Sequence, residues 1–190
     1  GARQVPKLVC VGKDGWLNDA IYARLDASSQ LRSRVVILSG LSDEELGLLY
    51  DSCRFTLYPS HYEGWGLPAT ESLCYGKVPL LADNSSLPEA GGPFGVYFQS
   101  GSLADLIDKA ERLVFDRAEL QRLEAKIAAE FSPRTWQHVA DQIGREIETF
   151  LARKPAMLGA NDEWSQRIEP VTFGAYYPLG RTPEHRIWKG

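Results

Sequence analysis

The chain has 190 residues, of which 44% are hydrophobic, and a formal net charge of −4. This length and apolar content are enough for one domain with a buried core. The acidic balance argues against a general nucleic-acid or anionic-membrane surface, and no apolar run approaches the roughly 20 residues of a membrane span.

Strand and helix patterns alternate through the first hundred residues. Apolar runs predict strands at residues 7–12, 34–39, 54–58, 78–82 and, more briefly, 95–98. Helical patterns lie between them at residues 17–27, 42–51 and 67–75. This alternation predicts an α/β fold with a Rossmann-like, doubly wound parallel sheet.

The pattern becomes helical after residue 101. Two amphipathic helices are predicted at residues 103–115 and 117–131. A third is predicted to run to about residue 152, with Ser132 as its N-cap and Pro133 as its first residue. We therefore predict a domain at residues 1–152, followed at 153–190 by an irregular strap or a linker to a further module.

The segment that indicates a function most specifically is YPSHYEGWGLPATE, residues 58–71. Glu63 and Glu71 flank a Gly-Trp-Gly-Leu-Pro turn between a strand and a helix, at the end of the strands where open α/β sheets bind ligands. Gly66 permits close backbone approach, and Pro68 suits a first helical turn. The free amides of that turn suit a phosphate.

Other readings of these residues stay open on the pattern alone. Glu63 could be an ordinary turn carboxylate, and Glu71 a helix charge that favours the dipole. Trp65 either walls a ligand pocket or packs under the turn. A dinucleotide oxidoreductase is disfavoured because the GxGxxG pattern is absent after the first strand.

Residues 7–150 resemble the C-terminal, donor-binding domain of the GT-B glycosyltransferases of family 4, the group 1 type. The resemblance is carried by VGKDGW at 11–16, by residues 38–92 and by AEFSPRTWQHVA at 129–140. Within them, EGWGLPATES is similar to the Glu-x7-Glu signature of the family.

The resemblance implies a role for each matching residue. Glu71 would hold the ribose hydroxyls of a nucleotide-sugar, and Glu63 would lie beside the donor sugar as the catalytic residue. The backbone of Gly66, Leu67 and Pro68 would hold sugar hydroxyls and diphosphate.

The donor site implied by the resemblance extends beyond that turn. Trp65 is counted with the donor pocket, and the loops at residues 12–16, beginning with Gly12, and 38–41 would line the base. Family enzymes retain the anomeric configuration and need no bound metal. The resemblance therefore implies neither a cofactor nor a metal, with a nucleotide-diphosphate sugar as the donor substrate.

The chain also departs from the family pattern. The family's donor domain opens with one more strand and helix, whose loop supplies an Arg and a Lys to the diphosphate, and neither is found here. On the same comparison, we expect the N-terminal domain that binds the acceptor to lie outside these residues. We therefore expect an excised part of a larger enzyme that is inactive alone.

The resemblance implies the donor-binding part of a retaining hexosyltransferase-type glycosyltransferase in surface polysaccharide synthesis. The alternative is a non-catalytic nucleotide-sugar or carbohydrate-binding module. The expected partners are a nucleotide-sugar and a glycan acceptor, without nucleic acid.

The three cysteines lack the spacing of metal ligands, so we expect them to be buried hydrophobic residues in a reducing compartment. The expected location is cytoplasmic, and any contact with the inner face of the membrane would come through the full-length parent.

Overall fold

A computed structural model of the chain describes residues 5–13, 15 and 18–153. The described elements are, in chain order, β1 (Leu8–Val11), α1 (Asp19–Asp26), α2 (Ser29–Arg34), β2 (Val35–Leu38), α3 (Asp43–Ser52), β3 (Thr56–Tyr58), α4 (Leu67–Cys74), β4 (Pro79–Ala82), α5 (Leu87–Gly91), β5 (Val96–Phe98), α6 (Leu103–Phe115), α7 (Arg117–Glu130) and α8 (Trp136–Arg153). Strands and helices alternate as far as β5, which confirms the predicted α/β class. None of the described helices is long and apolar enough to cross a membrane.

The chain divides into two compact units, residues 1–133 and 134–190. The first unit contains every described strand, and the second begins just before α8. The predicted strap at residues 153–190 lies, apart from Arg153, outside the described residues, so the proposed boundary at 152 stays a prediction.

All strand pairs in the described residues are parallel, as the alternating pattern predicts. β1 pairs with β2, whereas β4 pairs with both β3 and β5. The register places Tyr58 opposite Leu81, and Leu81 opposite Tyr97. The hydrogen-bonded ladders therefore form a two-stranded and a three-stranded group, and the carboxyl ends of β3, β4 and β5 lie at one edge.

The hydrophobic core is built around β4, all four residues of which are buried. A central parallel strand is covered on both faces, so its sequence is continuously apolar. Helices α4 and α5 supply Leu73 and Leu87, and α6 and α7 supply Leu113 and Leu120. This packing fixes the starts of α4 and α5, which follow β3 and β4.

The two-stranded ladder is much more exposed than the core. Leu8, Val9 and Val11 of β1 are each more than 40% exposed, and so is Ile37 of β2. Because successive strand residues point to opposite faces, Val9 and Val11 are exposed on one face and Leu8 and Ile37 on the other. We call these four side chains, on both faces of the ladder, the β1–β2 surface. A strand pair that faced only water would be expected to carry polar side chains, whereas these four exposed side chains are apolar.

The expectation that the cysteines are buried is wrong for two of them. Cys10 is exposed because all four residues of β1 are exposed. Cys74 is the last residue of α4 and is not among the buried residues of that helix. Cys53 is partly buried.

Helix α3 confirms the predicted capping box. The amide of Ser42 donates to Glu45 Oε2 at 2.8 Å, and the amide of Glu45 donates to Ser42 Oγ at 3.2 Å. The two bonds satisfy amides that a helix start leaves unpaired. They fix the beginning of α3, the helix that carries Tyr50 near its C-terminal end.

The predicted start of the last helix is wrong. Helix α8 begins at Trp136 rather than at Pro133. The amide of His138 donates to Thr135 Oγ1 at 3.3 Å, and the amide of Thr135 donates to His138 Nδ1 at 3.4 Å. This reciprocal cap places the helix start three residues later than Ser132 and Pro133 suggest.

Candidate functional site

The turn between β3 and α4 depends on the conformation of Gly66. Gly66 is the N-cap of α4, is buried and has a φ of +88°. A Cβ there would lie 2.6 Å from Leu87 Cδ2. Only glycine meets both conditions without strain, so this residue lets the turn approach α5 closely.

The start of α4 has the features of an anion site. No side chain caps it, since Gly66 has none to offer, and Pro68 lies in the first turn. The hydroxyls of Thr56 and Ser72 are 2.6 Å apart and tie α4 to β3. The amides at this helix end and the positive end of its dipole can therefore hold a phosphate or a developing negative charge.

Glu63 is held through one of its carboxylate oxygens. Tyr58 at the end of β3 donates its hydroxyl to Glu63 Oε1 at 2.9 Å, and Ser60 donates to the same oxygen at 2.6 Å. In the described part of the chain no hydrogen bond reaches Oε2. That second oxygen is free to face a ligand.

The backbone of Glu63 is held by the loop that follows β4. Its amide donates to Ser85 Oγ at 3.0 Å, and Ser86 donates to its carbonyl at 3.1 Å. Asn84 Nδ2 donates to the carbonyl of Ser60 at 2.9 Å. Ser85 has a φ of +46°, so the loop after β4 adopts a costly conformation while it holds Glu63 in place.

Glu71 lies in α4 and is held from α3. The Tyr50 hydroxyl donates to Glu71 Oε2 at 2.8 Å. The ring of Tyr50 stacks on Tyr75, with centroids 5.0 Å apart and an interplanar angle of 13°. Glu71 is thus fixed by a side chain from another helix, and no hydrogen bond among the described residues reaches its Oε1.

Both tyrosine hydroxyls retain their protons at neutral pH. Burial, with the hydrogen bond to Glu63 second, raises the pKa of Tyr58 to about 12. Burial and then the hydrogen bond to Glu71 raise the pKa of Tyr50 well above its usual range. Each phenol is therefore a donor to its carboxylate, and each glutamate presents one oxygen as an acceptor.

The other predicted site residues fall into two groups. Trp65 is 41% exposed and Leu67 is 61% exposed, so both lie at the surface of the turn rather than beneath it. Gly12 ends the two-stranded ladder, where its amide donates to the carbonyl of Leu38 at 3.1 Å. No hydrogen bond among the described residues joins Gly12 to either glutamate.

The described residues contain no group of three or more His, Cys, Asp or Glu side chains that could hold a metal ion. The predicted independence of a metal remains a prediction.

Several residues of this arrangement were not predicted from the sequence. Tyr58 and Ser60 lie in the same 58–71 segment as Glu63, so their proximity to Glu63 could have been predicted from the sequence. Asn84 and its two serines follow the neighbouring parallel strand, and such loops meet at one edge of a sheet. Tyr50 has no signal of this kind, because it is 21 residues from Glu71.

The sequence model of the family "Glycosyl transferases group 1" matches residues 2–129. Among curated relatives, the "Serotype-specific mannosyltransferase WbdA" of Escherichia coli is 30% identical over 109 residues, which is 57% of this chain and 13% of that protein. The "MMP alpha-(1->4)-mannosyltransferase" of Mycolicibacterium hassiacum is 37% identical over 125 residues, which is 62% of this chain and 30% of that protein. The chain thus spans less than a third of either relative.

Two solved structures share the fold. Sucrose-phosphate synthase of Thermosynechococcus elongatus has a TM-score of 0.60 and 22% identity, over 77% of this chain and 39% of that one. HepE of Anabaena in complex with UDP has a TM-score of 0.59 and 17% identity, over 76% of this chain and 41% of that one. This likeness agrees with a Rossmann-like half of a GT-B fold.

Proposed function

Because the chain belongs to the group 1 glycosyl transferases, we propose that it is the donor-binding part of a retaining glycosyltransferase. The proposed reaction transfers a sugar from a nucleotide-sugar to a glycan acceptor, without a bound metal. In this proposal the chain forms the C-terminal half of a GT-B enzyme of family 4.

The observation that carries this proposal is the arrangement of Glu63 and Glu71 on either side of the Gly66 turn. Each carboxylate is held through one oxygen and presents the other. The uncapped start of α4 lies between them in sequence. An anion-binding helix end flanked by two oriented carboxylates suits a ligand with a diphosphate and hydroxyl groups at both ends.

A nucleotide-sugar fits the chemistry of this turn. The free oxygen of Glu71 accepts hydrogen bonds from the ribose hydroxyls, which are neutral donors. The amides at the start of α4 receive the diphosphate. The sugar then extends toward Glu63, at the other end of the turn.

Glu63 is the proposed catalytic residue. Departure of the nucleotide diphosphate leaves positive charge on the anomeric carbon, as in glycoside hydrolysis. A carboxylate close to that carbon stabilises the charge, while the α4 amides stabilise the charge on the diphosphate. Two hydrogen bonds on Oε1 and two on its backbone hold Glu63 for this task.

The acceptor is proposed to be a growing surface polysaccharide. This rests on relatives that include the "O-antigen chain mannosyltransferase B" of Escherichia coli, 29% identical over 138 residues.

Two parts of the complete site are proposed to come from a further segment of the full-length protein. They are the residues that contact the acceptor and the cationic side chains that bind the diphosphate. The β1–β2 surface supports this, because both faces of the ladder expose apolar side chains, and exposed apolar areas often mark sites where another protein segment packs. We propose a cytoplasmic location, with any contact at the inner face of the membrane made through the full-length parent.

Replacing Glu71 by alanine in the full-length protein tests the proposed donor site. Isothermal titration with GDP-, UDP- and ADP-sugars identifies the donor of the wild type. For that donor, the variant is expected to bind about 10–100-fold more weakly, because hydrogen bonds to a charged carboxylate are lost.

Glu111→Ala is the matched control, because Glu111 is an exposed glutamate of α6. It should bind the donor as the wild type does. Equal affinity of wild type and Glu71→Ala, or a wild type that binds none of these sugars, contradicts the proposal.

A further inference from the structure

We propose that Tyr50 and Tyr58 are positioning residues, each of which orients one glutamate so that a single carboxylate oxygen faces the donor. Tyr50 acts on Glu71 and therefore on nucleotide affinity. Tyr58 acts on Glu63 and therefore on the transfer step. This inference rests on the proposed function and adds two residues that the family signature does not contain.

Tyr50 is itself rigidly placed. It lies on α3, and its ring stacks on Tyr75 at the end of α4. The Tyr75 hydroxyl fits against α3 because Gly47 has no side chain, and a Cβ there would be 2.9 Å from the Tyr75 oxygen. The hydroxyl of Tyr50 therefore reaches Glu71 Oε2 at 2.8 Å from a fixed ring.

Tyr58 is placed by the sheet. It is the last residue of β3, in register with Leu81 of the buried central strand. Its hydroxyl reaches Glu63 Oε1 at 2.9 Å, and Ser60 adds a second donor to that oxygen at 2.6 Å. Rotation of the carboxylate would break both bonds, so Oε2 keeps one direction.

The two phenols suit this task for an electrostatic reason. A neutral hydroxyl orients a carboxylate without cancelling its charge, whereas a lysine or an arginine would pair with it. Each glutamate therefore keeps its negative charge for the donor. A phenol is already protonated at neutral pH, and partial burial raises the pKa of both tyrosines further, so both hydroxyls remain donors throughout the neutral range.

The test compares Tyr50→Phe and Tyr58→Phe in the full-length protein, with donor titration and steady-state transfer measured on each. Tyr50→Phe is expected to weaken donor binding about tenfold, and Tyr58→Phe to lower kcat about tenfold, since each loses one hydrogen bond to a charged group. Each is expected to leave the other quantity within about threefold.

Tyr97→Phe is the matched control. Its hydroxyl is also partly buried and donates to the carbonyl of Gly92 at 2.7 Å, but it touches neither glutamate. It should change neither donor affinity nor kcat. Thermal unfolding of all three variants reports any loss of stability separately.

A double-mutant cycle shows whether Tyr50 acts through Glu71. In a Glu71→Ala background, Tyr50→Phe should cause no further loss of donor affinity, because coupled residues are not additive. The same fold-loss in both backgrounds overturns the inference, as does a parallel fall of affinity and kcat in both phenylalanine variants. If Glu71→Ala alone leaves donor affinity unchanged, both the proposed function and the positioning role of Tyr50 fail. If Glu71→Ala weakens binding and Tyr50→Phe does not, only the positioning role of Tyr50 fails.

Discussion

Replacing Glu63 by glutamine in the full-length protein is expected to lower the transfer rate by about 100–1000-fold, in the range for loss of one transition-state stabilising group. Glutamine keeps the shape of the side chain, and its carbonyl oxygen can still accept from Tyr58 and Ser60. It removes the negative charge beside the anomeric carbon. Donor affinity should stay within about threefold, because the ribose and diphosphate contacts are elsewhere.

The measurement is single-turnover transfer from a radiolabelled nucleotide-sugar, with donor titration on the same preparations. Glu111→Gln, an equivalent change on the exposed face of α6, should transfer at the wild-type rate. A Glu63→Gln rate within about threefold of wild type would show that the carboxylate charge is not used in the reaction.

Replacing Gly66 by alanine is expected to destabilise the protein by about 2–5 kcal/mol. The left-handed backbone at φ +88° costs a residue with a Cβ about 1–2 kcal/mol. The new methyl group would lie 2.6 Å from Cδ2 of the buried Leu87, and such overpacking costs about 1–3 kcal/mol. Urea unfolding followed by circular dichroism measures the change.

Gly64→Ala is a matched control in the same turn. Gly64 is not among the glycines with positive φ, and a Cβ there meets no atom within 4 Å. Its alanine variant should lie within about 1 kcal/mol of the wild type. Equal losses in the two variants would show that the turn, rather than the Gly66 backbone and its contact with Leu87, determines the cost.

The fold was largely predictable because its signals are local. Apolar runs marked each of the five strands in the described residues, and the alternating pattern predicted the parallel class. The bounds of α6 agree with the prediction, since Ser102 caps it through the amide of Asp105. The short helices α2 and α5 were not predicted, because six and five residues are too few to show a period.

The start of α8 shows how a local signal can mislead. Ser132 followed by Pro133 is typical of a helix start. Thr135 and His138 offer an equally local cap, in which each side chain bonds the amide of the other. The sequence contains both patterns, and the choice between them depends on backbone geometry that neither pattern encodes.

The candidate site was predictable only where its residues are close in sequence. Glu63, Gly66 and Glu71 lie within one turn and the helix after it, so their pattern is visible. Tyr50 and Asn84 contact this segment from α3 and from the loop after β4. Such contacts depend on tertiary packing, and the spacing of the residues in the sequence does not predict them.

A structure of the full-length protein with its bound nucleotide-sugar tests the central claim most directly. The claim predicts ribose hydroxyl oxygens within hydrogen-bond distance of Glu71 Oε1, and the donor sugar beside Glu63 Oε2. The diphosphate should lie at the start of α4. A nucleotide bound away from the Gly66 turn, with neither glutamate in contact, would contradict the account.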